Sequence, residues 1–306
     1  MGFLKLLEGI RSPVLDKIFL FVTGLGEEYV FTVVILGTLW CWNKRMGFWM
    51  FFSWGTGTGL NQFFKALCRV PRPWVRDPSF TPVELALEGA GGYSFPSGHT
   101  QSAFGLFASL ALFKKRKSWT IAAVILIALT GFSRLYLRVH TPADVLGAVI
   151  IGLAVLLLMA WFIEIEEEKP WISWVACGVL IVISLVLLIY SSVEGNRIYN
   201  KNMVEAADNA WKMLGAAVGL TVAWQLDRKY IKFDTRAVWY AQILKLVIGI
   251  GIALLIRTLL KRPLLNLFNN LHIADAVRYF LLTVFAGIIY PCTFKFFARM
   301  GKCRDR

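Results

Sequence analysis

Three clusters of polar residues interrupt an otherwise strongly apolar chain. The first runs from Lys65 to Arg72-Pro73, the second is Pro96-Ser97-Gly98-His99, and the third is Ser133-Arg134, five residues, His140, three residues, Asp144. Only three histidines exist in the chain, and two of them lie in these clusters. Lys65, Arg72 and Arg134 supply three cationic groups. Arginine suits bidentate contact with a phosphate, and lysine acts as a point charge. Ser97-Gly98 precedes a helix start whose free N–H groups point at any anion placed there, and Gly98 lets backbone approach a ligand closely. His140 and Asp144 are four apart, so one helical turn brings the carboxylate to the imidazole. A carboxylate on one ring nitrogen fixes the tautomer and raises the basicity of the other. His99 is then available to protonate a leaving oxygen. Cationic cradle, oriented nucleophile and general acid together make a phosphoryl-transfer site that calls for no metal and no cofactor.

Each cluster alone has a plainer explanation. Thr141-Pro142-Ala143-Asp144 reads as a helix start, with Thr at the N-cap, Pro at N1 and Asp at N3. Lys65 and Arg72 alone are span-end cations with their heads in water, and Pro96-Ser97 alone is a turn and cap. It is the three in series that favour catalysis.

These residues need elements to hold them. The chain has 306 residues, 57% hydrophobic and 17% charged, with mean hydropathy +0.61. A soluble domain carries about 45–50% apolar and about 25% charged residues, so the excess apolar surface faces lipid. Disorder, collagen and a small disulfide scaffold are excluded. The net charge of +14 belongs to basic loops between apolar runs and not to a nucleic-acid surface. Five dispersed cysteines lack metal-ligand spacing and argue against disulfides or structural zinc. The N-terminus has neither a signal-peptide pattern nor a myristoylation signal and is expected to be retained.

Runs long enough to span a bilayer fall near 28–43, 46–67, 98–113, 118–137, 142–163, 171–191, 207–225, 238–260 and 277–297, nine in all. Residues 3–24 alternate apolar and charged positions and read as an amphipathic surface helix broken at Pro13. With nine spans, Lys44-Arg45, Lys114 to Lys117, the Arg228-to-Arg236 loop and the tail (Arg299, Lys302, Arg304, Arg306) share one side. The positive-inside rule makes that side cytoplasmic, with the N-terminus and the long Pro- and Gly-rich connection 68–97 outside. Gly55 and Gly59 predict close helix packing. His272 has no partner at useful spacing, Glu27-Glu28 read as a helix start, and Glu164 to Glu168 as a solvated acidic face.

The clusters resemble the signature of the type-2 phosphatidic acid phosphatase superfamily: Lys-x6-Arg-Pro, Pro-Ser-Gly-His, then Ser-Arg-x5-His-x3-Asp. All eleven fixed positions match, within about residues 60–150. The resemblance implies that His140 attacks phosphorus to form a phosphohistidine, that Asp144 orients it, and that His99 protonates the leaving alcohol. Lys65, Arg72 and Arg134 would bind the phosphate oxygens, with Ser97 and the Gly98 amide assisting. Arg138 stands where many relatives have a small residue, and would either widen phosphate recognition or face lipid head groups.

The expected protein is an all-α polytopic membrane bundle, with a six-helix phosphatase core at 28–191 and about three further transmembrane helices within 192–306. Residues 1–27 form the surface segment. It takes a lipid phosphate or pyrophosphate from the bilayer on the non-cytoplasmic face, in a bacterial cell membrane or facing an ER lumen. An undecaprenyl pyrophosphate-like or phosphatidate-like substrate is the first expectation. The rivals are a sugar-phosphate phosphatase, a lipid phosphotransferase, and a transporter or scaffold with a vestigial site. The apolar spans exclude the soluble haloperoxidase branch.

Overall fold

A computed structural model describes residues 2–197, 200–269 and 271–300; Lys302, Cys303, Arg304 and Arg306 lie outside the described residues. The described chain is helical throughout, without strands. In order the helices are α1 (Gly2–Glu8), α2 (Pro13–Thr23), α3 (Glu28–Gly37), α4 (Lys44–Cys68), the single turn α5 (Pro73–Arg76), α6 (Gly98–Lys114), α7 (Lys117–Tyr136) and α8 (Pro142–Glu168). Then follow α9 (Ile172–Arg197), α10 (Lys201–Leu226), α11 (Trp239–Leu259), α12 (Lys261–Leu267), α13 (Ile273–Val284) and α14 (Phe294–Arg299).

All nine apolar segments are helical, but five helices are long and apolar enough to cross a membrane: Lys117–Tyr136, Pro142–Glu168, Ile172–Gly195, Trp239–Leu267 and Ile273–Arg299. A sixth arises if Pro13–Gly26 and Glu28–Trp42, bent by 48°, form one broken span. By their own length and composition, five or six of the nine segments therefore qualify as spans. α4 and α10 carry polar side chains such as Asn61, Lys65, Asn209 and Lys212, and α6 has only 17 residues. α4 packs against α6, α8, α9 and α10, so neighbouring protein shields its polar side chains from lipid. The apolar helices and their packing are those of an integral membrane protein.

Small residues let the central helix approach its neighbours. A Cβ on Gly55 would lie 3.1 Å from Leu180, and one on Gly59 2.6 Å from Ile183, so α9 packs directly onto backbone. One end of the bundle is basic. Lys44 pairs with Asp227 at 2.8 Å, and Lys114 lies 3.6 Å from the centre of the Trp42 ring. Glu166 binds Arg45 at 2.9 Å and Arg228 at 3.1 Å. Glu166 also accepts from Trp49 Nε1 at 2.9 Å and is buried, so it alone departs from the expected solvated face, on which Glu164, Glu167 and Glu168 are exposed. Three donors from α4 and the end of α10 give the carboxylate partners that water would otherwise supply. Because α4 begins at this basic end and reaches Lys65 in its last turn, the three clusters gather at the other end. An aromatic core near the basic end joins α4 to the C-terminal helices, with Phe48 stacked on Trp224 at 5.3 Å and Trp40 Nε1 donating to Ala286 O at 2.8 Å.

The N-terminal segment breaks at Pro13, as expected, with Ser12 as N-cap of α2. Helix α1 buries Leu4 and Leu7 against Phe80 and Leu135, at the end where the clusters gather.

Candidate active site

His140 sits in the short connection between α7 and α8, almost fully buried. Its Nε2 lies 2.9 Å from Arg72 Nη1, and its Nδ1 3.4 Å from Asp144 Oδ2. A guanidinium has only donors, so Nε2 must accept and Nδ1 carries the proton toward the carboxylate. The in-plane lone pair is thereby placed on Nε2. Burial, and then the cations Arg72, Arg134 and Lys65, hold the imidazole well below the usual histidine range and so neutral.

Asp144 Oδ2 also accepts from Ser94 Oγ at 2.5 Å and from Thr141 N at 2.7 Å. The Thr141 bond is the back half of a capping box. Capping and imidazole orientation are thus the work of one carboxylate, and the two readings of Asp144 are not alternatives.

The three cations converge, and among the described residues none has a carboxylate as hydrogen-bond acceptor. Lys65 Nζ donates to Tyr93 O at 2.6 Å. Arg72 donates to Gly91 O at 2.6 Å, Gly92 O at 3.1 Å and Val139 O at 2.9 Å. Arg134 donates to Thr23 Oγ1 at 2.7 Å and Gly89 O at 3.4 Å. All three are buried, and burial pushes Arg72 down to about 10. The carbonyls of Gly89 to Tyr93 therefore form a rim that holds the cations in place. Gly92 has φ +66, a conformation other residues adopt at a cost. Three cations bonded to neutral acceptors leave the cluster donors suited to an anion.

Ser97 is buried and caps α6, its Oγ accepting from Thr100 N at 3.4 Å, while its own N–H donates to Asp144 O at 2.9 Å. The first turn of α6 is so tied to the first turn of α8. Gly98 is the first residue of α6, and a Cβ there would meet only Asn61 Oδ1 at 3.9 Å.

His99 has a partner that local spacing did not give. Its Nε2 lies 2.8 Å from Glu27 Oε1. Glu27 stands at the break between α2 and α3, and a Cβ on Gly26 would lie 2.6 Å from His99 O. A Cβ on Gly89 would lie 3.1 Å from Glu27 Oε1 and 3.3 Å from His99 Cε1, so the pair is packed from both sides. Thr23 and Glu27 both fall within the segment expected to lie on the surface. The sequence read Glu27 as a helix start and Thr23 only as part of the surface helix, because their partners lie far along the chain.

Two expectations are corrected. Arg138 neither reaches the phosphate cluster nor faces head groups; it is fully buried, 2.7 Å from Glu8 Oε2 and 5.4 Å from the centre of the Phe80 ring. Its φ is +61, a left-handed conformation that favours glycine. His272 does have a partner, Asp208 Oδ1, at 2.6 Å.

The sequence profile of the PAP2 superfamily matches residues 46–167, which include all three clusters. A second profile, the PAP2 superfamily phosphatase transmembrane extension, matches residues 211–302. Phosphatidylglycerophosphatase B of Bacillus subtilis (strain 168) is 32% identical over 168 residues, which are 51% of this chain and 78% of that protein. Undecaprenyl-diphosphatase BcrC of the same organism is 30% identical over 172 residues, 54% of this chain and 82% of that protein. A lipid A 4'-phosphatase of Bacteroides thetaiotaomicron is 35% identical over 96 residues, 30% of this chain and 42% of that protein. No solved structure gives a significant match.

Proposed function

The chain belongs to the PAP2 superfamily, and we propose that it is an integral membrane phosphatase acting on a lipid phosphate or pyrophosphate through a phosphohistidine. What carries the reading is His140, held between Asp144 and Arg72 so that Nε2 is the unprotonated nitrogen, inside a cluster of cations bonded to neutral acceptors. Lipid phosphates and diphosphates are the substrates that the names of these three relatives give.

The Arg72 N–H that now points at Nε2 is the donor a phosphate oxygen takes on binding, which sets phosphorus beside the attacking lone pair. Lys65, Arg72 and Arg134 carry the developing charge on the equatorial oxygens. Nε2 forms a bond to phosphorus as the P–O bond to the alcohol breaks. His99 supplies the proton to the departing oxygen, and Glu27 at its Nε2 steadies the imidazolium. In the second half, water attacks phosphorus, gives its proton to His99, and the N–P bond breaks. Asp144 stays ionised throughout and steadies His140 as charge accumulates.

The catalytic end lies opposite the basic end formed by Lys44, Arg45, Lys114 and Arg228. By the positive-inside rule the reaction then takes place on the non-cytoplasmic face.

The test is phosphate release by the purified chain in detergent and EDTA, with phosphatidate, sphingosine phosphate, undecaprenyl pyrophosphate and glucose 6-phosphate. Release from one or more lipids is expected, abolished in His140→Ala. Near-normal turnover in that variant would overturn the nucleophile assignment. Preference for glucose 6-phosphate would overturn the lipid assignment.

A further inference from the structure

A cavity of about 450 Å³ lies between α3 and α4 on one side and α10, α11 and α13 on the other, within the roughly 300–1,000 Å³ of ligand sites. Its lining is mostly apolar. It follows α4 from Gly47 near the basic end to Gln62 near the catalytic end, about 22 Å at 1.5 Å per residue. That exceeds the half-thickness of the hydrocarbon core, roughly 15 Å.

At the catalytic end the cavity lining comes within one helical turn of the site residues at three places. Gln62 is one turn before Lys65 on α4, Ser102 one turn after His99 on α6, and Glu28 directly follows Glu27. Gln62 and Asn209 also line a smaller, polar cavity of about 160 Å³ whose wall includes Lys65 itself. The two side chains form a neck between the apolar space and the cation cluster. Lys212 lies one turn deeper on α10 than Asn209 and also lines the large cavity. It has no ion-pair partner among the described residues, the nearby carboxylates Glu28 and Asp208 being engaged by Arg257 and His272. An ammonium beside such a neck suits an amphiphile with an anionic end.

We propose that this cavity holds a hydrocarbon chain of a lipid phosphate substrate, whose phosphate reaches Lys65, Arg72 and His140 through the neck between Gln62 and Asn209. The proposal rests on the phosphatase reading and gives the C-terminal helices a role in choosing substrates by chain length.

The experiment uses the full chain in detergent with butyl phosphate and hexadecyl phosphate. Wild-type kcat/KM is expected to be at least 100-fold higher for hexadecyl phosphate. Ala216→Phe on α10 and Ala253→Phe on α11 each place a ring in the cavity and are expected to cut that ratio at least tenfold. The ratio cancels any loss of folded enzyme. A hexadecyl phosphate bearing a terminal diazirine is expected to label residues near Phe48 and Ala223, at the far end of the cavity. A ratio that the two variants leave unchanged would overturn the proposal, as would labelling confined to the outer faces of α7 or α8. If wild type released phosphate from neither ester, the phosphatase reading would fall. The photolabel alone would then decide whether the cavity takes the chain.

Discussion

Removing the Glu27 carboxylate tests whether His99 handles the leaving-group proton. In Glu27→Ala, His99 Nε2 loses a partner at 2.8 Å. A hydrogen bond to a charged group contributes about 1.5–3 kcal/mol. If the imidazolium of the transition state feels all of it, kcat/KM for an alkyl phosphate falls about 10- to 150-fold. Glu27→Gln keeps a neutral acceptor and is expected to lose about half that free energy. Nitrophenolate leaves without needing a proton, so on p-nitrophenyl phosphate Glu27→Ala is expected to lose about threefold or less. The assay compares kcat/KM for the two substrates, because that constant reports phosphohistidine formation and excludes its later hydrolysis. Equal losses on both would refute the reasoning. Glu27 would then serve only to seat the α2–α3 break against His99, where Gly26 already packs on the His99 backbone.

Other outcomes follow from the same geometry. Histidine ¹⁵N spectra are expected to show His140 as the neutral tautomer with its proton on Nδ1, still uncharged as pH falls past about 6.5. The unfolded chain takes up a proton there and the folded chain does not. This contribution to stability is therefore present above about pH 6.5 and lost as pH falls below it, read as a falling melting temperature. Arg138→Gly and Arg138→Ala both remove the Glu8 and Phe80 contacts, but only glycine relieves the left-handed backbone. Melting temperatures are expected to place the glycine variant above the alanine variant, by about 1–2 kcal/mol in stability. Gly92→Ala meets no atom within 4 Å yet stands at φ +66, so thermal unfolding is expected to show a purely conformational loss of about 1–2 kcal/mol.

Much of this molecule is written locally. The i, i+4 spacing of His140 and Asp144, the cap at Ser97 and the last-turn position of Lys65 depend only on helix geometry. They were legible because phosphoryl transfer needs particular side chains at short, fixed separations. The apolar runs of α7, α8, α9 and α11 were equally plain, since lipid demands apolar residues all round.

What the sequence did not determine depends on which distant segments pack together. Glu27 meets His99 and Thr23 meets Arg134 only because the α2–α3 break docks on the starts of α6 and the end of α7. The carbonyls of Gly89 to Tyr93 hold the cations through backbone atoms, which every residue carries and no side-chain pattern announces. Glu166 and Arg138 turned inward to partners on other helices. Helices α4, α6 and α10 fall short of a span by their own length or composition, because tertiary neighbours shield the polar residues they carry. The side chains of the three clusters were set by local chemistry; their partners and the cavity beside them were set by packing.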